Sequence, residues 1–296
     1  MFNFKNQRKM KKVVRMLGLC ALVALAFTSC KKNETNGNVT FKAIISQPTD
    51  NTRTHIESIN AFGFKGLFWD ANNTINVFNI ASAENQTYQI DAIKSGDGQI
   101  ATFQGPADFL AELIHENTYI AFYPMPDNGS MEMTIPAEQD FVWESIADDL
   151  YPMYGFNDFD SDDEPVFNFH SHAGMLRLQF KLNSINYGED AQIPMESIVV
   201  TGGDVLAGTM VYALDGTYTM TNPSNTITLN CEGMNMVSTR WTDFYIVFPE
   251  GALNEAFTVT LYSANGTSIS INGEAGHPIT AETITHMPQY EILADF

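Results

Sequence analysis

Apolar and polar residues alternate in short runs along most of this chain. Val39, Phe41, Ala43 and Ile45 are interleaved with Thr40, Lys42 and Ile44, and Met131, Met133 and Ile135 with Glu132 and Thr134. Leu176, Leu178, Phe180 and Leu182 alternate with Arg177, Gln179 and Lys181, and shorter runs follow at Ile227–Cys231, Phe257–Leu261 and Ile269–Ile271. Such alternation places one face of a strand on a core and the other in water, the habit of antiparallel sheets. Many short strands separated by Gly, Pro and Asn predict an all-β fold built from β-sandwiches. Asn265-Gly266, between "LYSA" and "TSISI", predicts a tight hairpin. Helix is scarce: "GPADFLAELIHEN" (105–117), with Phe109, Leu110, Leu113 and Ile114 on one face, is the best candidate, and "WESIADDLY" (143–151) is a second short one.

An internal echo suggests two similar units. "TYIAFYP" ends at Pro124 and is followed by a loop and the run 131–135; "DFYIVFP" ends at Pro249 and is followed by a loop and the run 257–261. Each reads as a buried aromatic strand, a proline stop, a loop and a partner strand. The polar stretch "NSINYGEDAQIP" (183–194) marks the expected boundary, giving domains at 39–183 and 184–296.

The amino-terminal region follows a different pattern. Residues 1–16 carry six basic side chains and no acid, an apolar run from Met16 to Phe27 follows, and "FTSC" ends it at Cys30. A basic segment before a short apolar one describes a secretory signal, too short to span a bilayer. "FTSC" resembles the lipobox of bacterial lipoproteins. That resemblance implies cleavage of residues 1–29, acylation of Cys30 (palmitate being one such chain) and a tether over 30–38; an ordinary signal with an incidental cysteine is the alternative. More than one acyl chain on a single residue makes a stable anchor.

Charge narrows the partners. The whole chain has 15 Lys+Arg against 35 Asp+Glu, and the part after residue 29 keeps nine of those bases and all of the acids. Such a surface repels nucleic acid and anionic lipid. Only Cys30 and Cys231 follow the signal, so no disulfide framework is expected, and Cys231 shares its parity with Ile227 and Leu229 as an inward thiol.

Taken together, the cysteine after the signal, "VTFKAII" (39–45), "TRT" (52–54), "LFWDANNTINVFN" (67–79), "FNFHSHAGMLRLQF" (167–180) and "FYIVFP" (244–249) resemble the fimbrillins and fimbrillin-like lipoproteins of Bacteroidales, the subunits of type V pili. The resemblance implies two tandem transthyretin-like β-sandwich domains and export as an outer-membrane lipoprotein. It further implies removal of the first strand by a trypsin-like protease, and assembly with other pilus subunits through a strand donated by a neighbour. Arg53, in the turn-rich "PTDNTRTHIE" eight positions beyond Ile45, is the candidate cut site; a solvated surface charge is the plainer reading of it. Excision of Val39–Ile45 would bare an apolar groove and two rows of unpaired backbone groups that a neighbour's strand could fill. The sequence ends at Phe296 soon after the last strand expected near Tyr290 and Ile292, so a donor would come from "ITAETITHMPQYEIL" itself, or the chain serves as a tip or accessory component.

Sharper chemistry is weakly signalled. "GDGQIA" (96–101) reads as a tight turn, not a phosphate loop, because Asp97 would face the phosphate. "NDFDSDDE" (157–164) is rich in oxygen, yet the calcium-loop spacing counted from Asp158 puts Asp163 where glycine is needed and Phe169 where glutamate is needed. A solvated acidic loop is expected there, with calcium as the alternative. His170 and His172 share a strand face and could pair on zinc, but no third ligand can be named. No cofactor and no catalytic constellation are expected. Two function classes follow: a structural and adhesive subunit of a surface pilus, and a surface lipoprotein that stacks host or bacterial glycan on Trp69, Trp143, Trp241 and the aromatic "DLYPMYGFNDF" (149–159).

Overall fold

The computed structural model describes residues 38–47, 49–50, 67–94, 98–106, 108–110, 116–125, 129–160, 164–293 and 296. Cys30 and Arg53, together with the signal and most of the tether, lie outside them.

Strands dominate the described residues. In chain order they are β1 (Asn38–Ile45), β2 (Thr49–Asp50), β3 (Thr74–Asn79), β4 (Asn85–Ile93), β5 (Ile100–Pro106), β6 (Tyr119–Tyr123) and β7 (Glu132–Ile135). Next come β8 (Glu138–Asp140), β9 (Met153–Phe159), β10 (Pro165–Phe169), β11 (Ala173–Leu182), β12 (Gln192–Gly202), β13 (Ala207–Tyr212) and β14 (Tyr218–Ser224). The last are β15 (Thr226–Asn230), β16 (Asn235–Val237), β17 (Thr242–Pro249), β18 (Phe257–Ser263), β19 (Ser268–Gly273), β20 (Thr283–His286) and β21 (Tyr290–Ile292). The one helix among them, α1 (Ser184–Tyr187), is a single turn capped by Asn183, whose side chain accepts the N–H groups of Ile185 and Asn186. Of the two expected helices, 143–151 is instead a series of turns, and 111–115 within the other lies outside the described residues.

The first seven-stranded sheet closes on itself in the order β1-β10-β9-β6-β3-β4-β5. Its middle strands β3 and β6 are buried along almost their whole length because both faces are covered. Val77 and Ala121 are paired across them, while on the opposite parity Phe122 meets Tyr212 of β13 edge to face at 5.2 Å. A second sheet runs β17-β11-β20-β2 with β21 also on β11, a third β19-β18-β12-β15-β8 with β16 on β12, and a three-stranded ribbon β14-β13-β7 completes the pairing. Gln139 of β8 is buried and clasps Val247 of β17, its amide donating to the carbonyl at 2.8 Å and accepting the N–H at 3.0 Å.

Several expectations need correction in detail. The sheets are not purely antiparallel: β1 runs parallel to β10, β20 and β21 to β11, β8 to β15 and β2 to β20. Alternation reports that a strand is half buried and is silent on the direction of its neighbour. The strand after each aromatic-proline echo is not that strand's partner, since β6 pairs with β3 and β9 while β7 pairs with β13, and β17 pairs with β11 while β18 pairs with β12 and β19. Backbone pairing also crosses residue 183, through β7 with β13, β8 with β15 and β11 with β17. The hairpin at Asn265-Gly266 forms as read, joining β18 to β19 with Gly266 at φ +83°.

The carboxy-terminal segment seats tightly on β11. A Cβ on Gly174 would collide with the Thr280 carbonyl oxygen and stand 2.7 Å from Ile279 Cγ2. Gly174→Ala is therefore expected to push residues 279–286 off β11, at a cost of about 1–3 kcal/mol. Hydrogen exchange at the β20 amides checks this, and unchanged protection there would show that the backbone absorbs the methyl group.

Candidate functional site

The seat of the first strand is the best-defined candidate site. Alternation along β1 sends Phe41, Ala43 and Ile45 inward, each all but fully buried, and leaves Lys42 on the outer face. β1 is hydrogen-bonded along β10 in the register Lys42↔Val166 to Ile45↔Phe169, and the Ile45 N–H also donates to the Gln99 carbonyl at 3.0 Å.

Three aromatic rings build the pocket of Phe41. Phe103 lies parallel to it at 5.9 Å, while Tyr88 and Phe167 meet it edge on at 5.3 and 5.0 Å. Trp69 closes the next position: its indole N–H donates to the Ala43 carbonyl at 3.3 Å, and its ring packs edge on against Phe103, Tyr123 and Phe169. That carbonyl and the indole are buried, so the bond replaces solvent that neither can reach. Burial pushes the Tyr88 phenol up, as it does Tyr123, whose hydroxyl also donates to Asp149 Oδ1 at 2.5 Å. Both phenols stay neutral across the physiological range.

On the outer face Lys42 is gripped by two carboxylates. Its Nζ lies 2.5 Å from Asp160 Oδ2 and 2.6 Å from Glu164 Oε2, and these bonds push its pKa further up, keeping it cationic. Beyond the strand, the Gln47 amide clasps Leu67, accepting its N–H at 2.8 Å and donating to its carbonyl at 2.5 Å. Two residues later β2 lies parallel to β20, pairing Thr49 with Thr283 and Asp50 with Ile284. One continuous segment thus completes the barrel and edges the sheet that carries the carboxy-terminal strands.

The other expected groups are placed differently. Within 157–164, Asp160 and Glu164 hold Lys42, and Asp158 accepts its neighbour's N–H from Phe159 at 2.8 Å. His170 and His172 take separate partners: His170 Nδ1 lies 3.0 Å from Glu282 Oε1, whereas His172 stacks on Tyr154 at 4.8 Å with Nε2 3.3 Å from the Gly216 carbonyl. No group of three or more His, Cys, Asp or Glu side chains that could hold a metal ion occurs among the described residues. Cys231 is buried with its thiol pushed up to about 12 by desolvation, an inert packing group.

The aromatics named for glycan stacking are not grouped on one exposed face. Trp69 and Tyr151 are buried, the latter donating to the Ala173 carbonyl at 2.8 Å. Trp143, which is exposed, carries the Arg240 guanidinium at 4.6 Å from its ring, and the half-buried Trp241 carries the Lys181 ammonium at 5.1 Å. The tryptophans were legible in the sequence, but their burial and these cation contacts were not. Nor was the Lys42 clasp, whose acids lie more than a hundred residues away; β1 with a single cation opposite an acidic loop was its only trace.

No protein-family model matches the chain, and no curated protein matches it. Solved structures do. A candidate cell adhesion protein of Bacteroides uniformis is 14% identical over 87% of this chain and 94% of its own, with a TM-score of 0.50, which shows a shared fold. Also similar are the tip fimbrial protein Mfa3 of Porphyromonas gingivalis (8% identity, 87% and 97% covered, TM-score 0.36) and the fimbrial anchor protein Mfa2 of the same organism (9%, 80% and 82%, 0.33). At 14% identity the first of these likenesses speaks for the fold alone.

Proposed function

We propose that this chain is an adhesive fimbrial-type subunit of the cell surface, of tip or accessory type, with two transthyretin-like β-units. In this reading it is exported as a lipoprotein acylated on Cys30. Its precursor is held inactive by its own first strand. A trypsin-like protease cuts at Arg53, β1 leaves the barrel, and a strand from a neighbouring pilus subunit takes its place.

The observation that carries the reading is the way β1 is seated. It completes a closed barrel, buries three consecutive inward side chains, and runs parallel to β10, a partner more than a hundred residues away. A cut at Arg53 releases β1 together with only the two-residue β2, and leaves β3 to β21 on one continuous chain. The groove left behind would hold an aromatic pocket and two unpaired ladders, which favours refilling by β-augmentation.

The experiment uses the full chain and its Arg53→Ala variant with an arginine-specific protease. The wild-type chain is expected to lose its first strand, read as a new amino terminus at Thr54 by mass spectrometry, and then to capture partner subunits; the variant is expected to do neither. A variant that still lost β1 and still assembled would sink the assignment of Arg53. The burial of Trp69 and Tyr151 and the cations against Trp143 and Trp241 favour this reading over the glycan-stacking alternative.

A further inference from the structure

The walls of the β1 groove carry a charge requirement as well as an apolar one. Asp160 and Glu164 stand between β9 and β10, the second of which is the strand that pairs with β1 in the barrel, so they remain when β1 leaves. That turn is self-braced: the Glu164 N–H donates to Asp160 Oδ1 at 3.0 Å and the Asp160 N–H to the Glu164 carbonyl at 3.0 Å. Both acids converge on one ammonium group, and when it leaves two neighbouring carboxylates stand side by side at the edge of the groove.

Strands from the far end of this chain are badly matched to that gap. After Arg240 the sequence contains neither lysine nor arginine. With Tyr290 of β21 in the place of Phe41, Glu291 falls in the place of Lys42, opposite Asp160 and Glu164, and Ile292 falls in the fully buried place of Ala43. Like charges set opposite one another oppose docking, and a branched side chain overfills a site shaped for a methyl group. The sequence 286–289, with Pro288 in it, cannot complete a ladder on both sides.

We propose that the vacated groove selects a strand with a lysine or arginine at the position of Lys42, flanked by an aromatic residue before it and a small residue after it. Among the described strands a second copy of this chain carries such a sequence only in its own β1, which the cut removes, and its β21 does not meet the requirement, so the donor comes from a different polypeptide. The inference rests on the strand-exchange reading and names the partner of that site: charge in the groove wall works against self-polymerisation while the apolar pockets provide adhesion.

The test cuts the full chain at Arg53 with the arginine-specific protease, separates the excised segment by gel filtration, and adds fluorescent peptides. The peptides are NVTFKAIISQ (residues 38–47), the same peptide with Lys42→Glu, and PQYEILADF (residues 288–296). The Lys42 peptide is expected to bind at least about tenfold more tightly than either of the others, given the cost of like charges brought together. In a Glu164→Lys chain, which changes a side chain that is 59% exposed, the preference for Lys42 over Glu is expected to shrink or reverse. Equal binding of the Lys42 and Glu peptides, or tight binding of the 288–296 peptide, would overturn this inference alone. Binding by none of the three would overturn strand exchange and the inference with it.

Discussion

Phe41→Ala is expected to lower the unfolding free energy of the full chain by about 3–5 kcal/mol, the range for removing a buried aromatic side chain that its surroundings cannot replace. The ring is 2% exposed and touches Tyr88, Phe103 and Phe167, which belong to three different strands, so the space it leaves has rigid walls. The consequence extends past stability. β1 would exchange out of the barrel without proteolysis, and the uncut variant should bind the 38–47 peptide that the uncut wild type excludes. Urea denaturation gives the first quantity and peptide binding the second. A variant as stable as wild type would mean that β1 adds little to the barrel, and would remove the reason for cutting it away.

The second large effect is expected at Arg177. This side chain is 5% exposed and makes a two-pronged bond to Asp243 across β11 and β17, with Nε donating to Oδ1 and Nη2 to Oδ2, each at 3.1 Å, and with His286 of β20 at 3.4 Å from Nη1. Removing one partner of a buried pair leaves the other charge poorly solvated. Arg177→Met should cost about 3 kcal/mol, at the low end of that range because Asp243 keeps some contact with water. Arg177→Met with Asp243→Leu should recover much of the loss, because no charge is then left behind. Thermal melts of the two variants test this, and a double variant no better than the single one would place the cost in lost packing instead. Because His286 lies beside Arg177, the single variant should also loosen β20, visible as faster hydrogen exchange at Thr283–His286.

These two residues mark what a linear reading catches. Phe41 was legible: it stands in a clean alternating run, and period two alone says that it points inward with Ala43 and Ile45. Arg177 was legible only as the polar partner in an alternating strand, and the alternation misassigned it to solvent. The face it occupies is covered in the fold, so the residue is buried as a paired ion. The same cause hid the burial of Trp69 and Tyr151, which look alike in sequence to exposed aromatics. The expected helix at 143–151 failed because its apolar residues, Ile146 and Leu150, were buried by turns that supply no helical ladder.

By itself the sequence determined several of the strands and their inward faces, the hairpin at Asn265-Gly266 and the acidic character that disfavours nucleic acid, because each depends on neighbours a few residues apart. It also carried, through family resemblance, the suspicion that the first strand is expendable. Only the tertiary structure decided that β1 lies parallel to β10, that the barrel closes, that Lys42 meets Asp160 and Glu164, and that β2 edges β20. Those contacts join residues separated by more than fifty positions, and most of them by more than a hundred. A strand's period records how much of it is buried and on which side, while its partner and its direction are fixed by loop closure and by the fit of whole sheets.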